Sequence, residues 1–166
     1  MGNTFYYSML LVGLSGLYLS VQSPSRFLFQ IALFTLYQAI AGRRAVKIRH
    51  KKALWYDWLS SCLGVLTGIW MISSLQLLGI IFGIIQLALA TGDLLFMLRR
   101  VRKIEPKKNE YVIRHVGLMV GALIASTTAF VVVNVSLPQL YWLPWILPSV
   151  MLVPVIIYSS RRLAAR

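Results

Sequence analysis

Long apolar runs, separated by short connections that hold nearly all of the charge, constrain this chain more than any other feature. Six runs can be drawn, at about 5–22, 27–42, 53–74, 76–98, 111–135 and 140–160. Each is near the ~17–25 residues that an α-helix needs to cross a bilayer. Hydrocarbon offers no water to unpaired backbone groups, so segments of this length cross it as helices. The sequence therefore predicts an all-α polytopic membrane protein, with six transmembrane helices arranged as three successive hairpins and residues 1–166 forming a single integral membrane domain. Composition agrees. The chain is 58% hydrophobic and only 13% charged, whereas a soluble domain carries about a quarter charged residues. No connection is long enough to bury a core of its own.

The net charge of +13 would suit a nucleic-acid-binding surface, but its placement argues against one. The 43–52 connection holds Arg43, Arg44, Lys47, Arg49, Lys51 and Lys52; the 99–114 connection holds Arg99, Arg100, Arg102, Lys103, Lys107, Lys108 and Arg114; the tail adds Arg161, Arg162 and Arg166. Sixteen of the seventeen basic residues thus fall on one side of a six-span chain, with Arg26 alone opposite. The positive-inside rule makes that side cytoplasmic and puts both termini there, in a cell inner (plasma) membrane. Tyr141, Trp142 and Trp145 suit an outer aromatic belt, and Trp55, Tyr56 and Trp58 an inner one. The first run lacks a basic n-region and a small-residue cleavage site, so it is expected to be retained. Cys62 is single, which excludes an intrachain disulfide framework or a thiolate metal site.

In lipid, small residues mark the sides on which helices approach closely. Gly64/Gly68, Gly79/Gly83 and Gly117/Gly121 each form a Gly-x-x-x-Gly pair. Alternating four-three spacing extends them into stripes. The third helix carries Asp57, Ser61, Gly64, Gly68 and Met71, and the fourth carries Gly79, Gly83, Gln86, Ala90, Asp93 and Met97. The fifth carries Arg114, Gly117, Gly121, Ala125 and Thr128, with His115, Met119, Ala122 and Ser126 alongside. So many small residues predict a position near the bundle centre for the fifth helix. In the sixth, Pro144, Pro148 and Pro154 each remove a backbone donor and obstruct the preceding turn, so a kinked or broken helix is expected.

Depth brings the charges together. Asp93 precedes Arg99 by six residues, about 9 Å of helix rise; Asp57 follows Lys52 by five, and Arg114 and His115 open the fifth helix. Ionisable residues inside a membrane face partners or water. A polar cluster of Asp57, Asp93, Arg114 and His115 is expected, with Gln86, Gln38 and Tyr158 as further candidates. Its simpler role is an ion pair that locks helices. Its sharper role is a proton relay, an anionic headgroup site or a ligand position.

The run "RHVGLMVGALIASTTAFVVVN" followed by "LPWILPSVMLVPVIIYSSRR" resembles the C-terminal half of a family of predicted bacterial multi-pass membrane proteins of unknown function. In that family a helix beginning His-x-Gly-x-Met precedes a Pro-interrupted final helix and a basic tail. "YYSMLLVGLSGLYLSV" and "FLFQIALFTLYQAIAGRRAVK" look like its upstream hairpin. The family's N-terminal helix and His/Arg-rich turn have no counterpart before "MGNTFYY", and Leu118 stands where the family has Arg. The resemblance implies a bacterial inner-membrane architecture and no particular activity.

Three classes of function follow. The first is a non-enzymatic membrane component or subunit, packing against a membrane-protein partner or a second copy, with no cofactor and no catalytic or metal-binding set. The second is a redox module binding haem or quinone near His115. His50 lies in a basic connection, so haem would need His115 with Met97, Met119 or a second subunit. The third is a small transporter or channel using Asp57 and Asp93. The basic connections are also expected to attract anionic lipid headgroups at the cytoplasmic face, and nucleic acid is not an expected partner.

Overall fold

Leu-, Ile- and Ala-rich runs with few interior breakers propagate as α-helices, and the computed structural model contains six among its described residues: α1 (Gly2–Gln22), α2 (Arg26–Lys47), α3 (Trp55–Ser73), α4 (Leu77–Val101), α5 (Glu110–Asn134) and α6 (Leu143–Ala165). The described residues are 2–22, 25–48, 53–104, 106, 109–135 and 143–165. Arg49, His50, Lys51, Lys52, Lys107, Lys108, Tyr141, Trp142 and Arg166 lie outside them, as does the start of the last apolar run at 140. Four helices, α1, α4, α5 and α6, are long and apolar enough to cross a membrane. The other two carry more polar residues. Gln30, Thr35, Gln38, Arg43, Arg44 and Lys47 dilute α2, while Asp57, three Trp and several hydroxyl residues dilute α3.

The largest departure from expectation is in α2. Its apolar run was expected to stop near residue 42, with Arg43, Arg44 and Lys47 in a connection. The helix instead continues to Lys47. Arg, Ala and Lys are good helix formers, and no Gly or Pro interrupts them after Gly42. Ser25 starts the helix by accepting a hydrogen bond from the Leu28 N–H through its hydroxyl, which satisfies one orphan donor of the first turn.

α2 rather than α5 is the hub. It packs against α1, α3, α4 and α5, whereas α5 packs against α1, α2 and α6. Every buried apolar cluster draws on α2 or its cap: Ile31 and Phe34 with Met71 and Ala125; Tyr37 and Ala41 with Ala90 and Leu118; Ala39 with Met9 and Ala122; Ile48 with Phe96, Met97 and Tyr111. α5 packs on three helices, as its small surface suggests, but not through every glycine. A Cβ placed on Gly117 would meet nothing within 4 Å, so that glycine is not a packing contact.

The other stripes are buried as sets. On α3 the buried residues are Asp57, Ser61, Gly64, Gly68 and Met71. On α4 they are Gly79, Gly83, Gln86, Ala90, Asp93 and Met97, joined by Phe96. Gly68 and Gly83 let the two backbones touch. A Cβ on Gly83 would lie 2.9 Å from the Gly68 carbonyl oxygen, and one on Gly68 would lie 3.0 Å from the Leu87 nitrogen. Gly64 makes room for the Tyr37 ring, Gly79 for Ser74 and the Met71 carbonyl, and Gly121 for the Gln38 amide.

α6 runs unbroken through Pro148 and Pro154. Pro144 falls in the first turn, where its missing N–H has no intrahelical partner to lose. Pro144 and Pro148 are the buried residues of this helix. Trp145 meets Phe27 edge-on at 5.2 Å.

Candidate functional site

The helices converge on Asp93, which is 4% exposed in α4. Tyr37, two turns before Arg44 on the same face of α2, donates its hydroxyl to Asp93 Oδ2 at 2.9 Å. Arg44 Nη2 bonds the same oxygen, and Arg114 Nη2 of α5 bonds Oδ1. Both carboxylate oxygens are therefore engaged, by groups from two other helices.

Arg44 also gathers α3. Its Nη1 donates to the Asp57 carbonyl at 2.7 Å and to the Ser60 hydroxyl, and its Nη2 donates to the Ser61 hydroxyl at 2.9 Å. A planar guanidinium can make these contacts at once because its donors form a fixed fork. One side chain thus joins α2, α3 and α4. Arg114 completes the set from α5, with its guanidinium 4.8 Å from the Phe96 ring centroid, within cation–π range.

The expected cluster is only partly assembled. Asp93 and Arg114 meet. Asp57 is buried, but its carboxylate accepts the Leu54 N–H at 2.8 Å at the start of α3, and no ion pair joins it to a described residue. It thereby satisfies an orphan N–H at the start of α3. His115 Nδ1 lies 2.8 Å from the Gly42 carbonyl. A carbonyl only accepts, so Nδ1 carries the proton and the ring ties α5 to α2. Tyr158 is 66% exposed on α6 and stands outside the cluster. Met119 packs on Gly42, and Met97 lies among Ile48, Phe96 and Tyr111.

Arg44 and Tyr37 are the site residues that sequence reasoning left out. The charge pattern places Arg44 in a connection, and hydropathy places Tyr37 in an apolar run. The signal was present in the spacing: Gln30, Tyr37 and Arg44 follow one another at seven residues, as do Gly79, Gln86 and Asp93, and Arg114, Gly121 and Thr128. Seven residues bring a helix back to nearly the same face about 10 Å along, so each of the three helices repeats polar or small positions along one face.

Other buried polar atoms are less well satisfied. Gln86 Nε2 reaches the Thr67 hydroxyl at 3.3 Å. Gln30 Oε1, Gln38 Oε1, Gln86 Oε1, Thr128 Oγ1 and Arg114 Nε are buried without a hydrogen-bond partner among the described residues. No group of three or more His, Cys, Asp or Glu able to hold a metal ion occurs among those residues.

No protein-family model matches the chain, and neither a curated protein nor a solved structure is significantly similar to it.

Proposed function

We propose that the chain is a six-span membrane protein of the bacterial inner membrane, with both termini cytoplasmic, acting as a non-enzymatic component whose buried charges hold its helices in register. The observation that carries this reading is the saturation of Asp93: both oxygens are bound by Arg44 and Arg114, and Tyr37 adds a third donor. With both oxygens committed to donors on α2 and α5, the carboxylate ties three helices together and serves packing.

Two further observations support counting α2 and α3 as spans. At 22 and 19 residues they are about 33 and 28 Å long, close to the hydrocarbon thickness. Leu59, Leu63, Leu66 and Ile69 expose an apolar face along α3 that suits lipid. α1 packs on α2, α3 on α4 and α5 on α6, as three successive hairpins would. The resemblance of the His115–Met119 run to the bacterial multi-pass family fits the same architecture and brings no activity with it.

A second reading, a small transporter or channel, is favoured by the buried, unsatisfied acceptors on Gln30, Gln38, Gln86 and Thr128. Purified protein in proteoliposomes with an internal pH dye separates the two. The packing role predicts a proton leak no greater than that of empty vesicles and a large loss of thermal stability in Asp93→Asn. A leak that Asp93→Asn abolishes at unchanged stability would overturn it.

A further inference from the structure

The buried cluster has more positive than negative charge: two guanidinium groups, Arg44 and Arg114, share the single carboxylate of Asp93. An uncompensated buried charge is costly unless a counter-charge lies near it. Asp57, whose carboxylate accepts the Leu54 N–H, makes no ion pair with either guanidinium.

Beside Arg44 an open groove of about 560 Å³ runs between the end of α2 and the start of α3. Its basic lining is formed by Arg43, Arg44 and Lys47, and Ser60 and Asp57 line it too. Lys47 is exposed and has no ion-pair partner among the described residues. Arg43 is held in place by aromatic rings, with its guanidinium 4.3 Å from the Tyr6 centroid and 5.3 Å from that of Tyr7. The remaining wall is apolar and exposed: Ile40 at 40%, Val46 at 39% and Leu54 at 47%. Basic groups and open apolar surface in one groove, at the end of a helix bundle, match an amphiphile whose anionic part is small.

We propose that this groove is a binding site for the headgroup of an anionic phospholipid. The phosphate lies between Arg43 and Lys47, and the glycerol and first methylenes lie on Ile40, Val46 and Leu54. Charge complementarity selects the anionic headgroup, and the apolar wall selects a lipid over free phosphate. Because Arg44 borders the groove, the bound phosphate also offsets the excess charge of the Asp93 cluster. Lipid binding is thereby coupled to the stability of the helix junction. The inference rests on the membrane reading above.

The test is thermal unfolding and native mass spectrometry of the full-length protein in a neutral detergent, titrated with phosphatidylglycerol, phosphatidylcholine or inorganic phosphate. Phosphatidylglycerol is expected to raise the melting temperature and to remain bound after the other two have dissociated. Arg43→Gln/Lys47→Gln is expected to weaken its binding at least about tenfold, since each basic residue contributes to attraction for anionic lipid. Arg161→Gln/Arg162→Gln, which removes the same charge from α6, is expected to leave binding within about twofold. Equal losses in both variants, equal stabilisation by phosphatidylcholine, or saturation by inorganic phosphate with no preference for lipid would each overturn the site. Failure of the membrane reading has a different signature, release of the protein from membranes by alkaline carbonate without detergent.

Discussion

Arg44 and Asp93, 49 positions apart in sequence, form a buried ion pair in which the arginine also binds α3 through the Asp57 carbonyl and the Ser60 and Ser61 hydroxyls. The contact joins three helices at one atom group, and Arg114 extends it to a fourth. Its energetic meaning lies in what its loss leaves behind. Breaking a buried pair strands a charge, whereas replacing the whole pair with apolar groups does not.

Asp93→Asn should therefore be among the most damaging single substitutions, costing about 3–5 kcal/mol because it leaves Arg44 and Arg114 facing each other without a counter-charge. Thermal unfolding in detergent measures it. Removing the opposing charges as well, in Arg44→Met/Arg114→Met/Asp93→Leu, should return a substantial part of that loss, and a triple variant less stable than Asp93→Asn would contradict the charge argument.

Arg44→Lys retains the charge but loses the fork. An ammonium can stay near Asp93, yet it cannot also reach the Asp57 carbonyl and both serine hydroxyls from one plane. Each bond forfeited contributes about 0.5–1.5 kcal/mol, so the expected loss is about 1–3 kcal/mol. Stability equal to that of the wild type would mean that charge alone matters at this position.

These two residues also show what was legible in the sequence. The α3 and α4 stripes could be read because each buried face repeats in alternating four-three steps, and every member of both stripes is buried. The α2 contribution could not be read the same way. Hydropathy falls at Gly42, but hydropathy reports burial in apolar surroundings and not helix propagation. The chain continues helical for another turn and more, so Arg44 reaches the core that the charge count had assigned to water. Asp57 failed as an ion-pair partner for a local reason. At the third position of α3 its carboxylate turns back to the Leu54 N–H, a donor with no partner inside the helix.

The glycines divide by what lies opposite them. Gly83→Ala would press a methyl against the Gly68 carbonyl and Ile72, and separating two packed backbones should cost about 1–3 kcal/mol. Gly117→Ala meets open space. In a helix interior it should stabilise by roughly 0.5–1 kcal/mol, because alanine loses less backbone entropy. Unfolding of both variants side by side checks the contrast, and the reverse order would place the α3–α4 contact elsewhere.

Topology is checked at Lys47. Six spans put the end of α2 on the same side as the termini, whereas a chain crossing only through α1, α4, α5 and α6 puts it on the opposite side. In a Cys62→Ala background, Lys47→Cys should resist a membrane-impermeant maleimide added to intact cells and react in inverted vesicles. Labelling in intact cells would reduce the number of spans.

The central claim, that Arg44 and Asp93 act as an interhelical lock, is tested most directly by a double-mutant cycle. Arg44→Gln, Asp93→Asn and the combined variant are unfolded under identical detergent conditions. A lock predicts strong non-additivity, with a coupling of about 1–3 kcal/mol and a double variant scarcely less stable than the worse single one. Losses that add to within about 0.5 kcal/mol, the behaviour of independent sites, would contradict it.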